Sequence, residues 1–158
     1  MAINFESTVL ITDNLESMKL FYTDVMRQEI EFDFGNCIGF KCGLSLWQLQ
    51  EHYPLTKALG ARPANTRNDN VEMCFDTDDY DTEVAHIRAS GAQLLHDPAC
   101  EPWGQYTLRF FDPDRNIVEL GESIPCFCRR LYNSGLDASA VAKKTGIPND
   151  VVLTFLSE

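Results

Sequence analysis

Short stretches in which apolar and polar residues alternate recur along the first third of the chain, and such alternation predicts half-buried β-strands. They lie at residues 5–12, 29–34, 37–42 and 44–49. Between the first two stretches the apolar residues recur at helical spacing instead, at Met18, Phe21, Tyr22 and Val25. With Asp13 or Asn14 as the helix cap, residues 1–50 therefore predict a strand, a helix and three strands.

The same order of patterns returns in residues 69–122. Residues 70–76 alternate, with Val71, Met73 and Phe75 on one face and Glu72, Cys74 and Asp76 on the other. A helix capped by Asp78 or Asp79 follows, and its predicted buried residues are Tyr80, Val84 and Ile87. Three more strands are predicted at 92–95, 105–111 and 116–121. The sequence thus predicts an α+β fold of two βαβββ modules, at 1–50 and 69–122, joined by a connector at 51–68 with a short helical turn.

The last two predicted strands form a β-hairpin around the turn Asp112-Pro113-Asp114-Arg115-Asn116. Proline fixes one backbone angle there, and aspartate and asparagine tolerate the tight bend. If Phe111 pairs with Ile117, then Arg109 lies directly opposite Glu119. One face of the hairpin then carries this charge pair, and the other face is apolar, with Leu108, Phe110, Val118 and Leu120.

Residues 123–158 form a predicted helical extension of the domain at 1–122. Two or three short helices fit the pattern, with Gly135 before the first and residues 146–148 between the last two. Four residues also have the spacing of a helix-turn-helix core: Ala142, Gly146, Val152 and Phe155. A DNA-reading helix needs basic or amide side chains on its exposed face, but residues 149–154 offer an aspartate and no basic residue. We therefore favour a packed helical appendage over DNA binding.

Charge narrows the possible partners. The net charge is −11, and because residues 123–158 carry +1, the first 122 residues carry −12. An acidic domain repels nucleic acid and anionic lipid surfaces. No apolar run reaches the length of a membrane span, and the N-terminal residues lack the basic and apolar regions of a signal peptide. We expect a cytoplasmic protein whose six cysteines are reduced.

Three segments carry a family resemblance. They are residues 13–17 followed by Phe21-Tyr22, residues 70–76, and residues 103–122 with Trp103-Gly104-Gln105, Asp112-Pro113-Asp114 and Val118-Glu119-Leu120. In this order they resemble the two module openings and the module end of the vicinal oxygen chelate superfamily, which includes glyoxalase I, extradiol dioxygenases and bleomycin-resistance proteins. The resemblance covers roughly the first three quarters of the chain.

The resemblance implies that the two modules curl into a curved, cup-like mixed sheet around a divalent metal ion. Carried over by position, the metal ligands of the family fall on Ser7, on Trp47 or Gln48, on Glu72 and on Glu119. Only the two glutamates are good donors for such an ion. The resemblance also implies a small-molecule ligand and a homodimer.

Two features point to an organic ligand instead of an ion. If Leu44 and Leu46 face the helices, strand alternation turns Trp47 toward the cup, and an indole suits stacking on an organic ligand. The Arg109 guanidinium supplies positive charge that a metal ion would otherwise supply. Three interpretations of Arg109 and Glu119 remain open: a cross-strand salt bridge, recognition of a ligand carboxylate or phosphate by Arg109, and metal coordination by Glu119.

The sequence and the resemblance together predict two alternative functions of different kinds. The first is a metal-independent small-molecule-binding protein, with the predicted ligand-binding residues Ser7, Trp47, Glu72, Cys74, Trp103, Arg109 and Glu119. The second is a metal-dependent lyase or isomerase of the glyoxalase kind, in which the ion acts as a Lewis acid and is bound by Glu72, Glu119 and Gln48. Dioxygenase chemistry is disfavoured, because none of the three histidines lies at a predicted cup position.

Overall fold

The computed structural model of the chain describes residue 4, residues 6–60 and residues 68–157. The predicted start of the first strand at residue 5 and most of the predicted connector, residues 61–67, lie outside the described residues. Two compact units are present, one formed by Met1–Asp69 with Asp112–Asn116 and the other by Asn70–Phe111 with Ile117–Glu158. Each unit is described by itself below.

The first unit contains a four-stranded mixed sheet. Its elements in chain order are β1 (Thr8–Ile11), α1 (Leu15–Leu20) continued by a π-helical turn (Phe21–Val25), β2 (Ile30–Asp33), β3 (Cys37–Phe40), β4 (Leu44–Trp47) and α2 (Pro54–Leu59). The strands are arranged β1-β4-β3-β2, with β1 parallel to β4 and the other pairs antiparallel. The predicted strand, helix and three strands are confirmed, as is the helical turn in the connector.

The buried stripe of the first helix differs from the prediction at one position. Met18, Phe21 and Tyr22 are buried as predicted, but Met26 is buried in place of Val25. The cause is the π-helical turn, in which the Met26 amide donates to the Phe21 carbonyl at 3.0 Å and each turn takes up one more residue. This wider turn moves the next buried position one residue along the chain.

The second unit repeats the topology of the first. Its elements are β5 (Asn68–Thr77), α3 (Tyr80–Ala89), β6 (Ala99–Cys100), β7 (Tyr106–Phe111) and β8 (Asn116–Glu122), and its strands are arranged β5-β8-β7-β6. In both units the first strand therefore lies beside the last one. Asp79 caps α3 by accepting from the Thr82 amide, which is one of the two predicted caps. The predicted pair of βαβββ modules is confirmed.

The predicted strand at 92–95 is wrong. Leu94 makes only an isolated bridge to Phe110, and the strand that pairs with β7 is β6, where Ala99 lies opposite Thr107. The segment from Leu94 to Ala99 is two residues longer than the facing segment of β7, from Phe110 to Thr107. The hydrogen-bonded ladder is therefore interrupted. Pro98 lies in the break and has no N–H to donate.

Three helices follow the second sheet: α4 (Ile124–Asn133), α5 (Ala138–Thr145) and α6 (Asn149–Ser157). They share one buried cluster, formed by Phe127, Cys128, Leu131, Val141 and Val152. The predicted helical extension is confirmed, although Gly135 follows the first helix instead of preceding it. Among the described residues, no helix has the length and apolar character needed to cross a membrane. The preference for packing over DNA binding stays a prediction.

The Asp-Pro-Asp turn is built around the side chain of Asp112, which is 3% exposed. Its Oδ1 accepts from the Asp114 and Asn116 amides at 3.0 and 2.9 Å, and its Oδ2 accepts from Asn116 Nδ2 at 2.8 Å and Tyr22 Oη at 3.1 Å. Burial raises the pKa of this carboxyl, against the hydrogen bonds from Asn116 and Tyr22, which lower it. Asp112 thus holds the turn and has a structural role.

Replacement of Asp112 by Asn should destabilise the protein by about 1–3 kcal/mol, because the new amide NH2 faces groups that are themselves donors. Urea denaturation followed by circular dichroism measures this change. Asp114→Asn is the matched control, since Asp114 accepts an exposed hydrogen bond from Asn14, and it should change stability by less than about 0.5 kcal/mol. Equal effects of the two substitutions would contradict the structural role of Asp112.

Candidate functional site

The antiparallel pairing of β7 and β8 places a charge pair on one face of the second sheet. Phe111 lies opposite Ile117 and Arg109 opposite Glu119, as the sequence predicts. Thr107 lies on the same face as Arg109, because side chains alternate along a strand. The opposite face is buried, with Leu108, Phe110, Val118 and Leu120 at 5% exposure or less.

Arg109 binds three carboxylates, one each from β5, the β6–β7 turn and β8. Its Nε donates to Glu72 Oε1 at 2.5 Å, and its Nη1 donates to Glu101 Oε1 at 2.7 Å. Its Nη2 forms an ion pair with Glu119. We call Arg109, Glu72, Glu101 and Glu119 the Arg109 cluster.

The Arg109 cluster carries more negative than positive charge. Three carboxylates surround one guanidinium, so the formal charge is −2 with all groups ionised. The side chains are partly shielded from solvent, with exposed fractions of 24% for Arg109 and 15% for Glu119. Thr107 is fully buried beneath them, and its hydroxyl donates to Glu101 Oε1 at 2.9 Å. Partial burial strengthens these ion pairs relative to ones in open water.

The carboxyl groups of the Arg109 cluster respond differently to their surroundings. The hydrogen bond from Arg109 holds the pKa of Glu101 below its usual range. Burial raises the pKa of Glu119; attraction by Arg109 opposes this, and repulsion from Glu72 and Glu101 adds to it. The stabilisation due to Glu101 is therefore present above its unfolded pKa of about 4.3 and is lost as the pH falls through the lower folded value. Because the folded pKa of Glu119 is raised, its contribution to stability is present at low pH and is lost as the pH rises through the folded value.

Two other predicted ligand-binding residues lie in the second unit. Cys74 follows Glu72 by two residues on β5 and is exposed; burial of its thiol raises its pKa, and the charges of Glu119 and Glu72 raise it further. Trp103 lies in the β6–β7 turn, 39% exposed, where its indole Nε1 donates to Gln105 Oε1 at 2.9 Å. Cys74 therefore neighbours the Arg109 cluster, whereas the indole of Trp103 hydrogen bonds within its own turn.

The remaining predicted site residues belong to the first unit. Ser7 precedes β1 and is half-buried. Trp47 ends β4, is also half-buried, and lies with its ring centroid 5.6 Å from that of Tyr53. Gln48 donates from Nε2 to the Asp13 carbonyl at 3.3 Å. Their roles in ligand binding stay predictions.

The donor set does not fit a divalent metal ion as the side chains stand. Both carboxylates predicted to bind the ion, Glu72 and Glu119, are bound to Arg109 instead. A guanidinium beside them repels a divalent cation, and the lone pairs that it uses are not free for coordination. Across residues 6–60 and 68–157 there is no group of three or more His, Cys, Asp or Glu side chains arranged to hold a metal ion.

Glu101 is the member of the Arg109 cluster that the sequence analysis missed. The signal for it is the position of β6, the second strand of this module. Once Ala99 is paired with Thr107, alternation places Glu101 on the face that carries Thr107 and Arg109. A strand at 92–95 instead leaves Glu101 in an unassigned loop.

A family model described as a glyoxalase-like domain matches residues 5–125. No curated protein matches the chain. The chain is also similar to several solved structures. One is a protein of unknown function from Agrobacterium tumefaciens str. C58, with a TM-score of 0.69 and 25% sequence identity over 78% of this chain and 97% of that one. Its similarity confirms the predicted α+β fold.

Two further structures are similar in fold. A lactoylglutathione lyase from Agrobacterium tumefaciens has a TM-score of 0.57 and 26% identity, covering 78% of this chain and 96% of that one. A glyoxalase/bleomycin resistance protein/dioxygenase family enzyme from Burkholderia phytofirmans PsJN has a TM-score of 0.63 and 21% identity, covering 75% and 98%. Each match covers nearly all of the related chain and leaves about a fifth to a quarter of this one unmatched.

In an Arg109→Met variant, the pKa values of both Glu101 and Glu119 should rise. Glu101 loses the hydrogen bond that lowers its pKa, and Glu119 loses the attraction that opposes its burial. Carboxyl carbon NMR titration of the wild-type protein and the variant measures both values. Unchanged titration of Glu101 in the variant would contradict the ion pairs described for Arg109.

Proposed function

The chain belongs to the glyoxalase-like domain family, and on this premise we propose that it binds a small organic molecule at the Arg109 cluster without a divalent metal ion. The family match confirms the resemblance to the vicinal oxygen chelate superfamily. The observation that carries the proposal is the set of ion pairs from one guanidinium to Glu72, Glu101 and Glu119. Arg109 thereby provides the positive charge that a metal ion would provide to these carboxylates.

The ion pairs oppose the binding of a divalent cation to the carboxylates in place of Arg109. A divalent cation that used Glu72 and Glu119 as ligands would have to separate both from the guanidinium. It would also leave Arg109, which is only 24% exposed, without its partners. Breaking a partly buried ion pair by removing one partner is strongly destabilising, because the remaining charge is left uncompensated.

Charge also selects the kind of ligand. With a formal charge of −2, the Arg109 cluster attracts cationic groups and repels anionic ones. The three guanidinium nitrogens of Arg109 each donate to a carboxylate already, so the arginine is committed within the protein. These contacts favour a neutral or cationic ligand, and they favour the cross-strand salt bridge over recognition of a ligand carboxylate or phosphate.

The observed contacts support some of the proposed ligand-binding residues more directly than others. Glu72, Cys74 and Glu119 are supported best, since they lie in or beside the Arg109 cluster. Ser7, Trp47 and Trp103 are proposed from strand alternation and from the value of an indole for stacking on a flat organic group. We further infer a homodimer and a cytoplasmic location from the resemblance; light scattering would test the first, with twice the mass of one chain expected.

A metal-dependent lyase or isomerase is the second candidate function. The observation that favours it is the 26% identity to a lactoylglutathione lyase over 78% of this chain. It would use Glu72, Glu119 and Gln48 as metal ligands. For this to happen Arg109 would have to turn away from both glutamates, which the present ion pairs oppose.

Elemental analysis of protein purified without chelators separates the two functions. We expect no divalent metal at a level comparable to the chain concentration, because the two predicted carboxylate ligands are occupied by Arg109. Metal approaching one ion per chain would overturn the proposal and support the lyase or isomerase.

Arg109→Met should create a metal site that the natural chain lacks, since it releases three carboxylates on one sheet face. Calorimetric titration with Mn²⁺ should show binding to the variant at least about tenfold tighter than to the natural protein. Arg109→Lys is the matched control, because it keeps the positive charge and should not gain Mn²⁺ affinity. The double variant Arg109→Met, Glu101→Gln should lose most of the gain.

The variants are compared only after circular dichroism shows that they are folded. Equal Mn²⁺ affinity in the natural protein and in Arg109→Met would mean that Arg109 does not take the place of the ion, and the proposal would then fail.

A further inference from the structure

The second unit contains a cavity of about 740 Å³ on the face of its sheet opposite to the Arg109 cluster. Tyr106 and Glu122 line it, and both alternate with residues of the face that carries Arg109. The rest of the wall comes from the start of α3 and from α4: Asp78, Asp79, Tyr80, Asp81, Cys126, Arg129, Arg130, Asn133 and Ser134. Its volume lies within the range of small-molecule sites, about 300–1,000 Å³.

We propose that this cavity binds a small molecule that carries an aromatic ring and a protonated amine, at a site separate from the Arg109 cluster. The inference does not depend on the proposed function, because it uses a different face of the sheet and different side chains.

Two tyrosine rings supply the aromatic wall. The rings of Tyr80 and Tyr106 are nearly parallel, with an interplanar angle of 23° and centroids 6.2 Å apart. Arg130 places its guanidinium carbon 4.2 Å from the centre of the Tyr106 ring, so this ring already attracts a cation within the protein. Tyr106 is still 39% exposed, which leaves ring surface for a ligand.

Arg130 is held in place and does not offer its charge to a ligand. Its Nε and Nη2 donate to the two carboxylate oxygens of Glu122, each at 2.6 Å, and Nη2 also donates to the Gly104 carbonyl at 2.6 Å. Glu122 is almost fully buried, so the pair is a fixed part of the wall. Arg129 is likewise engaged, since its Nη1 donates to the Phe155 carbonyl at 3.0 Å.

The balance of charge in the lining favours a cationic ligand. Four carboxylates, those of Asp78, Asp79, Asp81 and Glu122, face two guanidiniums. Glu122 is paired with Arg130, and Asp78 accepts from the Ser123 hydroxyl at 2.5 Å. Asp79 and Asp81 remain at the exposed start of α3, and no salt bridge joins either to a cation among the described residues. They supply the unbalanced negative charge for an ammonium group.

Tyr80 contributes its ring to the wall of the cavity. Its hydroxyl oxygen is buried and has no hydrogen-bond partner within the described part of the chain. Burial raises the pKa of this phenol, and the charge of Glu122 raises it further. A buried hydroxyl without a partner is unfavourable. Because this oxygen is closed off from solvent, we expect a ligand in the cavity to contact the ring of Tyr80 and not its hydroxyl.

The cavity can be tested through its own cysteine. Cys126 lines the cavity, whereas Cys42 is exposed in the turn between β3 and β4 of the first unit, outside both proposed sites, and serves as the internal control. Both cysteines are alkylated with iodoacetamide in the presence of 2-phenylethylamine, 2-phenylethanol or 3-phenylpropionate. Peptide mass spectrometry measures the rate of each alkylation. We expect the amine to slow the alkylation of Cys126 and to leave that of Cys42 unchanged, with the alcohol weaker and the carboxylate without effect.

Variants of the lining residues show which side chains bind the amine that protects Cys126. Asp81→Asn and Tyr106→Leu should each raise the amine concentration needed for protection by about tenfold. Glu72→Gln should leave this concentration unchanged, because Glu72 belongs to the Arg109 cluster. Tyr80→Phe should leave the melting temperature equal or higher, since it removes a hydroxyl that makes no hydrogen bond.

Equal protection by amine and carboxylate would overturn the proposal, as would equal protection of Cys42 and Cys126. If Cys126 reacts too slowly to follow, the same titration is read from the ring carbon resonances of Tyr80 and Tyr106 by NMR. Absence of any shift with the amine would then overturn the proposal and would leave the function at the Arg109 cluster unaffected.

Discussion

One guanidinium bound to three carboxylates is the interaction on which the proposed function of this chain depends. Arg109 lies on β7 and binds acids from β5, from the β6–β7 turn and from β8. These ion pairs satisfy the two glutamates that the resemblance assigns to a metal ion. They also leave a local excess of negative charge. A protein that keeps the fold of its family can in this way favour a different kind of ligand, since the charge of a site and not its fold decides what binds there.

The placement of Arg109 follows from a chain of local causes. Asp112 accepts four hydrogen bonds and fixes the turn at residues 112–116. The turn sets Phe111 opposite Ile117, and the register then places Arg109 opposite Glu119. A shift of one residue would place Arg109 and Glu119 on opposite faces of the sheet. The acid of the turn thus fixes the geometry of the hairpin, and the acids of the strands form the Arg109 cluster.

Much of this arrangement is accessible from the sequence. The hairpin register follows from the turn residues and from alternation, because these are local rules. The module order follows from the repeated strand and helix patterns. Glu101 is not predicted because the second strand of the second module is interrupted at Pro98, and an interrupted strand has no regular alternation of residues to follow. The π-helical turn at Phe21–Val25 was missed for a similar reason, since its extra residue per turn has no signature in the spacing.

The cavity beside α3 and α4 could not be predicted from the sequence, for a different reason. Tyr80, Tyr106 and Arg130 lie far apart along the chain and come together only in the folded second unit. No periodicity links them, so pattern reasoning assigned Tyr80 to the core and gave Arg130 no role. Long-range packing of this kind is what a structure adds to local rules.

A crystal structure from crystals soaked in MnCl₂, with an anomalous difference map, tests the central claim most directly. The account predicts no anomalous peak beside Glu72 and Glu119, with the Arg109 guanidinium still bound to both. A strong peak between these two glutamates, with Arg109 turned away, would contradict it.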